Sequence, residues 1–192
     1  MKIIIIDCQN LNSTFTEVSN FAKNIQRYLE EFQISSEIIK LEDFLNDPLE
    51  DVHIILSGSF VDIWSPNIYI ENLVKYLKKE SMNIKQRYII GICFGAQMIA
   101  RAIDNNSLSR FKKPNNQIHK VDIKGFKYSG NFAFIHQDFI KKSTLGLNIL
   151  SSNKFCDEEY IEVFNLDNNQ NIYGIQFHPE INKKSLNLLC LE

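Results

Sequence analysis

Apolar positions along this chain alternate between two kinds of spacing. Residues 2–6, 37–41, 52–56 and 87–92 are short, nearly unbroken apolar stretches, the first of them an isoleucine run. Runs of this length without polar alternation predict strands buried on both faces. Between them the apolar residues fall three and four apart. Thr14 and Glu17 fit a capping box, and Phe15, Val18, Phe21, Ala22, Ile25, Leu29 and Phe32 continue from it along one helical stripe. Ser65-Pro66 marks a second helix start before "IYIENLVKYLKK", and Met98, Ile99, Ala102 and Ile103 predict a third helix. Alternating β and α elements of this kind predict an α/β fold. Its central sheet is mostly parallel, flanked by helices, and ligands gather at the carboxyl ends of the strands.

The pattern changes in the second half. Between residues 108 and 163, short strand signals in "HKVDIKGFKYS", "NFAFI", "LNILSS" and "YIEVF" are separated by polar turns. They predict a smaller antiparallel excursion that rejoins the main sheet at "NIYGIQF". The asparagine-rich stretches 104–106, 115–116 and 167–171 read as turns. A short helix is expected after Pro179.

Composition narrows the reading. A chain of 192 residues with 44% hydrophobic content buries one sizeable core, so a single domain over 1–192 is expected. A net charge of −2 without long basic blocks gives no reason to expect nucleic acid or an anionic membrane as partner, and Lys112–Lys113 and Lys183–Lys184 read as solvated surface. No stretch approaches the roughly 20 apolar residues of a membrane span, and the opening "MKIIIID" is too short for a signal-peptide core. Cys8, Cys93, Cys156 and Cys190 are scattered, with no C-x-x-C pair, which fits a reducing cytoplasm and predicts neither a zinc site nor a disulfide framework.

One of those cysteines stands apart. In "YIIGICFGAQMIARAI" Cys93 lies where a strand gives way to a helix, with Gly91 and Gly95 two positions to either side. A turn that sharp needs missing Cβ atoms so that strand and helix approach closely. The pattern is the nucleophile elbow G-x-S-x-G with cysteine for serine. It also sets the sulfur at a helix N-terminus, where thiolates are favoured. A base is then required. His178 follows the last predicted strand in "YGIQFHPEI" and so emerges at the same sheet edge. Pro179 stiffens the segment, and Glu180, two residues on, is placed to hold one ring nitrogen while the other faces the sulfur. Nucleophile, base and orienting carboxylate make a triad in the order Cys93, His178, Glu180. The remaining histidines carry weaker signals: His53, inside a strand, and His119, in a hairpin, read as structural. Cys8 reads as a buried thiol, and Trp64 and Phe60 as packing residues.

"GICFGAQ" and "YGIQFHPE" together resemble the two signatures of class I glutamine amidotransferases, nearest to the GMP synthetase type and its stand-alone relatives. The resemblance implies a flavodoxin-like α/β fold in which "IIIID" is the first strand, "IILSGSF" the oxyanion loop and "FIHQDFI" a segment of the Ser-His-Gly-Asp type. It implies that Cys93 is the nucleophile, His178 the acid/base and Glu180 its orienter. The oxyanion donors would be the backbone of Phe94 and of Gly58-Ser59, with Gln97, His136 and Asp138 binding substrate. No cofactor is implied. The expected activity is hydrolysis of the γ-amide of L-glutamine through a cysteinyl thioester, with ammonia passed to a separate synthase. A stand-alone γ-glutamyl hydrolase, or a non-catalytic glutamine-binding regulator, are the alternatives. The chain departs from the family pattern where Ser57-Gly58-Ser59-Phe60 replaces Ser-Gly-Gly-Pro, where Asp104-Asn105-Asn106 replaces Gly-Gly, and where Gln137 replaces a glycine.

Overall fold

The computed structural model describes residues 2–9, 20–83, 86–126 and 129–181. The elements in chain order are β1 (Ile3–Asp7), α1 (Phe21–Glu31), β2 (Ser36–Lys40), α2 (Leu41–Asn46), β3 (His53–Leu56), α3 (Ile68–Ser81) and β4 (Ile89–Ile92). They continue with α4 (Phe94–Ile103), β5 (Leu108–Asp122), β6 (Ser129–Ile140), β7 (Leu147–Phe155), β8 (Glu158–Leu166) and β9 (Ile172–Ile175). Seven strands form one sheet in the order β2-β1-β3-β4-β9-β8-β7. The pairs among β1, β2, β3, β4 and β9 are parallel, and β8 and β7 add on antiparallel.

Successive residues of the central strands enter different cores, as a period of two requires. Ile4, Ile6, Ile54 and Leu56 pack with Ile70, Leu73 and Leu77 of α3 and with Met98 and Ile99 of α4. Ile5, Ile55 and Ile92 pack on the other face with Ala22 and Ile25 of α1. Each fully buried side chain of this size stabilises the fold by about 1.5–3 kcal/mol, which explains why these strands carry no polar alternation. α1 is capped by Asn20, whose Oδ1 accepts from the Lys23 N–H at 3.0 Å. The capping box at Thr14–Glu17, with Phe15 and Val18, lies outside the described residues, as do the helix expected after Pro179, Lys183–Lys184 and Cys190. The second predicted helix begins two residues later than Ser65-Pro66 suggests, because the Asn67 carboxamide caps it by accepting from Tyr69 N–H at 2.9 Å. No described helix is long and apolar enough to cross a membrane.

The second half differs from the sequence reading. β7 and β8 belong to the main sheet rather than to a separate excursion, and only β5 and β6 form a second, two-stranded sheet. Residues 115–116 are strand, not turn: the register slips between Arg110 and Asn115, and the buried Asn115 side chain finds partners in His136 at 3.3 Å and Tyr160 Oη at 3.5 Å. An asparagine satisfied in this way has no need of a turn. His119 likewise stands in β5, where it meets Glu162 of β8 at 2.5 Å. The β5–β6 ribbon lies over β8 on an aromatic-rich core of Phe111, Phe134, Phe139, Tyr160 and Phe177. Two isolated bridges also fasten it, Lys141 to Tyr160 and Ala133 to His178.

Candidate active site

β4 and α4 meet at Cys93, which has φ 49° and ψ −102°, a backbone region a non-glycine residue occupies at a cost of about 1–3 kcal/mol. Its N–H donates to Ile175 O of β9 at 2.7 Å, tying the elbow to the neighbouring strand. The flanking glycines are both required. A Cβ on Gly91 would fall 2.5 Å from Gly95 O and 2.6 Å from Ala96 N, and one on Gly95 would fall 2.6 Å from Leu56 O. Strand and helix therefore touch backbone to backbone, and the 5%-exposed Cys93 sits at the helix start.

β9 runs beside β4 and delivers His178 to the same edge. The His178 N–H donates to Ala133 O at 2.9 Å, so ribbon and sheet together fix the ring's base. Its Nδ1 meets Glu180 Oε1 at 2.8 Å, both side chains are fully buried, and Phe21 stacks on the imidazole with ring centres 4.8 Å apart. His178 Nε2 has no hydrogen-bond partner among the described residues, which leaves that nitrogen available to a reacting group. Burial disfavours the charged imidazole, but Glu180 and Cys93 outweigh it and hold its pKa above the ordinary value.

Cys93 opens onto a cavity of about 410 Å³ walled by residues 59–63, Gln97, Arg110 and residues 135–138. Ser59, Gln97, His136 and Asp138 of the expected set line it directly. Gln97 directs its Nε2 at Asp138 O, 2.7 Å away. His136 is turned inward: its ring bonds Asn115 and Asp138 O, and burial pushes its pKa down to about 3. Phe60 lines the cavity rather than only packing. Phe94 opens α4, so its N–H has no acceptor within the helix. Gly58 passes so close to the triad that a Cβ there would lie 2.9 Å from His178 Cε1. Cys8 is fully buried, and burial first of all drives its pKa up to about 12. Among the described residues no group of three His, Cys, Asp or Glu side chains is arranged to hold a metal ion.

A family model for class-I glutamine amidotransferases matches residues 17–189. The chain belongs to that family. Among proteins similar to this amidotransferase, a GMP synthase [glutamine-hydrolyzing] of Wigglesworthia glossinidia brevipalpis is 27% identical over 98% of the chain and 36% of its own length. Another of the same name, from Petrotoga mobilis, is 30% identical over 94% of the chain and 32% of its own length. The chain thus spans about a third of the curated relatives it matches. The crystal structure of a GMP synthase subunit from Thermoplasma acidophilum superposes with a TM-score of 0.69 at 21% identity, over 99% of this chain and 91% of that one. A glutamine amidotransferase of Thermotoga maritima gives 0.68 at 16% identity, over 96% and 78%. Both establish that the amidotransferase fold is shared.

Three residues of this amidotransferase site are not expected from the sequence. Gln176 is fully buried and points Nε2 at the Cys93 sulfur, 3.7 Å away, while Gln97 Nε2 lies 3.5 Å from Gln176 Oε1. Its only sequence signal is its place two residues before His178, on the same side of an extended segment. Ser57 Oγ accepts from Cys8 N–H and donates to Gly58 O, each at 3.0 Å, which anchors the peptide joining Gly58 to Ser59. A trans peptide directs its C=O and N–H to opposite sides, so the Ser59 N–H points away from this anchor. Arg110, reached only because β5 lies over the site, stands in the cavity wall.

Proposed function

We propose that this chain hydrolyses the γ-amide of L-glutamine and supplies the ammonia to a separate synthase in the cytoplasm. The observation that carries the reading is a strained elbow cysteine facing a buried His178–Glu180 pair held at 2.8 Å, on one sheet edge and over one cavity. Cys93 attacks the γ-carbonyl carbon, passing its proton to His178. The oxyanion is received by the N–H groups of Phe94 and of the Gly58–Ser59 peptide, each such donor being worth about 10²–10³ in rate. His178 gives its proton to the departing nitrogen, the C–N bond breaks and ammonia leaves a γ-glutamyl thioester. Water then attacks the thioester; His178 takes its proton and returns it to the sulfur as glutamate departs. Gln97, His136 and Asp138 shape the substrate end of the cavity. The names of the relatives, glutamine-hydrolysing GMP synthases, support a synthase of that kind as the acceptor of ammonia.

The test is glutamate release from L-glutamine and a panel of larger γ-glutamyl amides, with Cys93→Ala alongside. Slow, Cys93-dependent release from L-glutamine is expected, rising when a synthase partner is added. The cavity volume also admits a larger amine, so preferential cleavage of a γ-glutamyl amide would make the chain a γ-glutamyl hydrolase instead. Binding without turnover would leave the non-catalytic regulator.

A further inference from the structure

The charged residues in the wall of the Cys93 cavity are Asp62, Arg110 and Asp138, and they form one cluster. Arg110 Nε donates to Asp138 Oδ1 at 2.6 Å, and its Nη2 donates to Asp138 Oδ2 at 2.9 Å and to Asp62 Oδ1 at 2.8 Å. The Trp64 indole N–H adds a bond to Asp138 Oδ1 at 3.0 Å. The guanidinium is therefore held in a fixed plane by carboxylates from two segments, the loop after β3 and strand β6. These bonds use Nε and Nη2 and leave Nη1 to a ligand. The side chain is 43% exposed, so it faces the cavity and solvent rather than a core.

An arginine oriented by two carboxylates has given up its rotamer freedom before any ligand arrives, and its planar fork matches a carboxylate. The cluster also carries one more negative than positive charge, which favours an ammonium beside the guanidinium. A carboxylate and an ammonium on one carbon are the head group of a free α-amino acid. We infer that Arg110 is a specificity residue: it binds the α-carboxylate of the substrate, while Asp62 and Asp138 face its α-ammonium. The substrate class is then γ-glutamyl compounds with a free α-amino-acid head group, which excludes glutamine within a polypeptide. The chemistry at Cys93 is that of the glutaminase reading, on which this inference rests.

The experiment compares L-glutamine with 4-aminobutanamide, the same amide without its α-carboxylate, in wild type, Arg110→Gln and Arg110→Lys. Wild type is expected to favour L-glutamine in kcat/KM. Arg110→Gln should lower kcat/KM for L-glutamine about tenfold to a hundredfold, mostly through KM, and leave 4-aminobutanamide unchanged, with Arg110→Lys only a partial rescue. If both substrates suffer alike, Arg110 is a structural ion pair and the inference is overturned. It is equally overturned if the preference for L-glutamine survives in Arg110→Gln. Should wild type hydrolyse neither amide, the glutaminase reading has failed by itself, and calorimetry with L-glutamate and 4-aminobutyrate decides the rest. Binding of L-glutamate that is lost in Arg110→Gln, with 4-aminobutyrate ignored by both proteins, supports the inference. No binding to wild type, or binding indifferent to Arg110, overturns it.

Discussion

Substituting Gly91 by alanine tests whether the elbow depends on the backbone contact between β4 and α4. The new Cβ would stand 2.5 Å from Gly95 O and 2.6 Å from Ala96 N, roughly 1 Å short of ordinary contact. Neither obstacle is a side chain that can swing aside, and the first turn of α4 is packed on Leu56 through Gly95. The helix start must therefore move by about the missing distance. Overpacking of this kind costs about 1–3 kcal/mol, and backbone obstacles put Gly91→Ala at the upper end, about 3 kcal/mol. That is a large share of the roughly 5–15 kcal/mol that holds a domain folded. A shift of about 1 Å at a reacting group lowers turnover by about 10²-fold, and Cys93 and Phe94 both ride on this turn. Denaturant unfolding gives the first quantity, and glutamate release or alkylation of Cys93, followed by mass spectrometry, gives the second. Gly125→Ala is the control. Gly125 has φ +83° with nothing within 4 Å of a new Cβ, so its cost is backbone strain of about 1–2 kcal/mol, and Cys93 chemistry should be unaffected. The reasoning is refuted if Gly91→Ala unfolds no more easily than Gly125→Ala and keeps wild-type reactivity at Cys93.

Glu180→Gln keeps the shape of the buried pair but removes the charge that raises the His178 pKa; turnover should fall about 10²-fold or more with the circular dichroism unchanged, and an unaltered rate would take Glu180 out of the triad. His136 is buried neutral with its pKa lowered from 6.5 to about 3, so the unfolded chain takes up a proton below pH 6.5 that the folded chain refuses. The stability present above pH 6.5 is lost as pH falls toward the folded pKa, by about 2 kcal/mol between about pH 7 and 5, and urea titrations should find that loss abolished in His136→Gln. Gln176→Leu removes an N–H aimed at the sulfur and should slow alkylation of Cys93 at neutral pH about twofold to tenfold, whereas unchanged kinetics would reduce Gln176 to a packing residue.

The parts of the molecule legible in the sequence are those whose chemistry is local. Strands buried on both faces must be apolar throughout, so β1, β3 and β4 announce themselves, as does an elbow that only glycines at residues 91 and 95 permit. His178 and Glu180 are legible because two residues of extended chain suffice to align them. α2 escapes notice because a six-residue helix holds only Leu41 and Phe44 as buried anchors, too few for a period to emerge. β5 reads as partly turn because a ribbon strand with a register slip and an exposed face shows polar residues wherever water reaches it, Asn116 included. Arg110 and Gln176 carry no local mark at all. Their roles come from β5 lying over the cavity and from β9 lying next to β4, pairings between segments far apart in the chain. The same holds for Ser57, whose importance lies in what Cys8 and Gly58 do around it.

The place of β9 between β4 and β8 also sets the order in which the site comes alive. Before β9 is synthesised, the sheet can exist only as two fragments, β2-β1-β3-β4 and β8-β7, with no edge in common. The cysteine elbow is made early, yet the strand that joins the fragments is the one that brings His178, with Glu180 just behind it. A growing chain therefore exposes an elbow thiol without its base until the sheet is closed, and closure and activation are a single event on the ribosome.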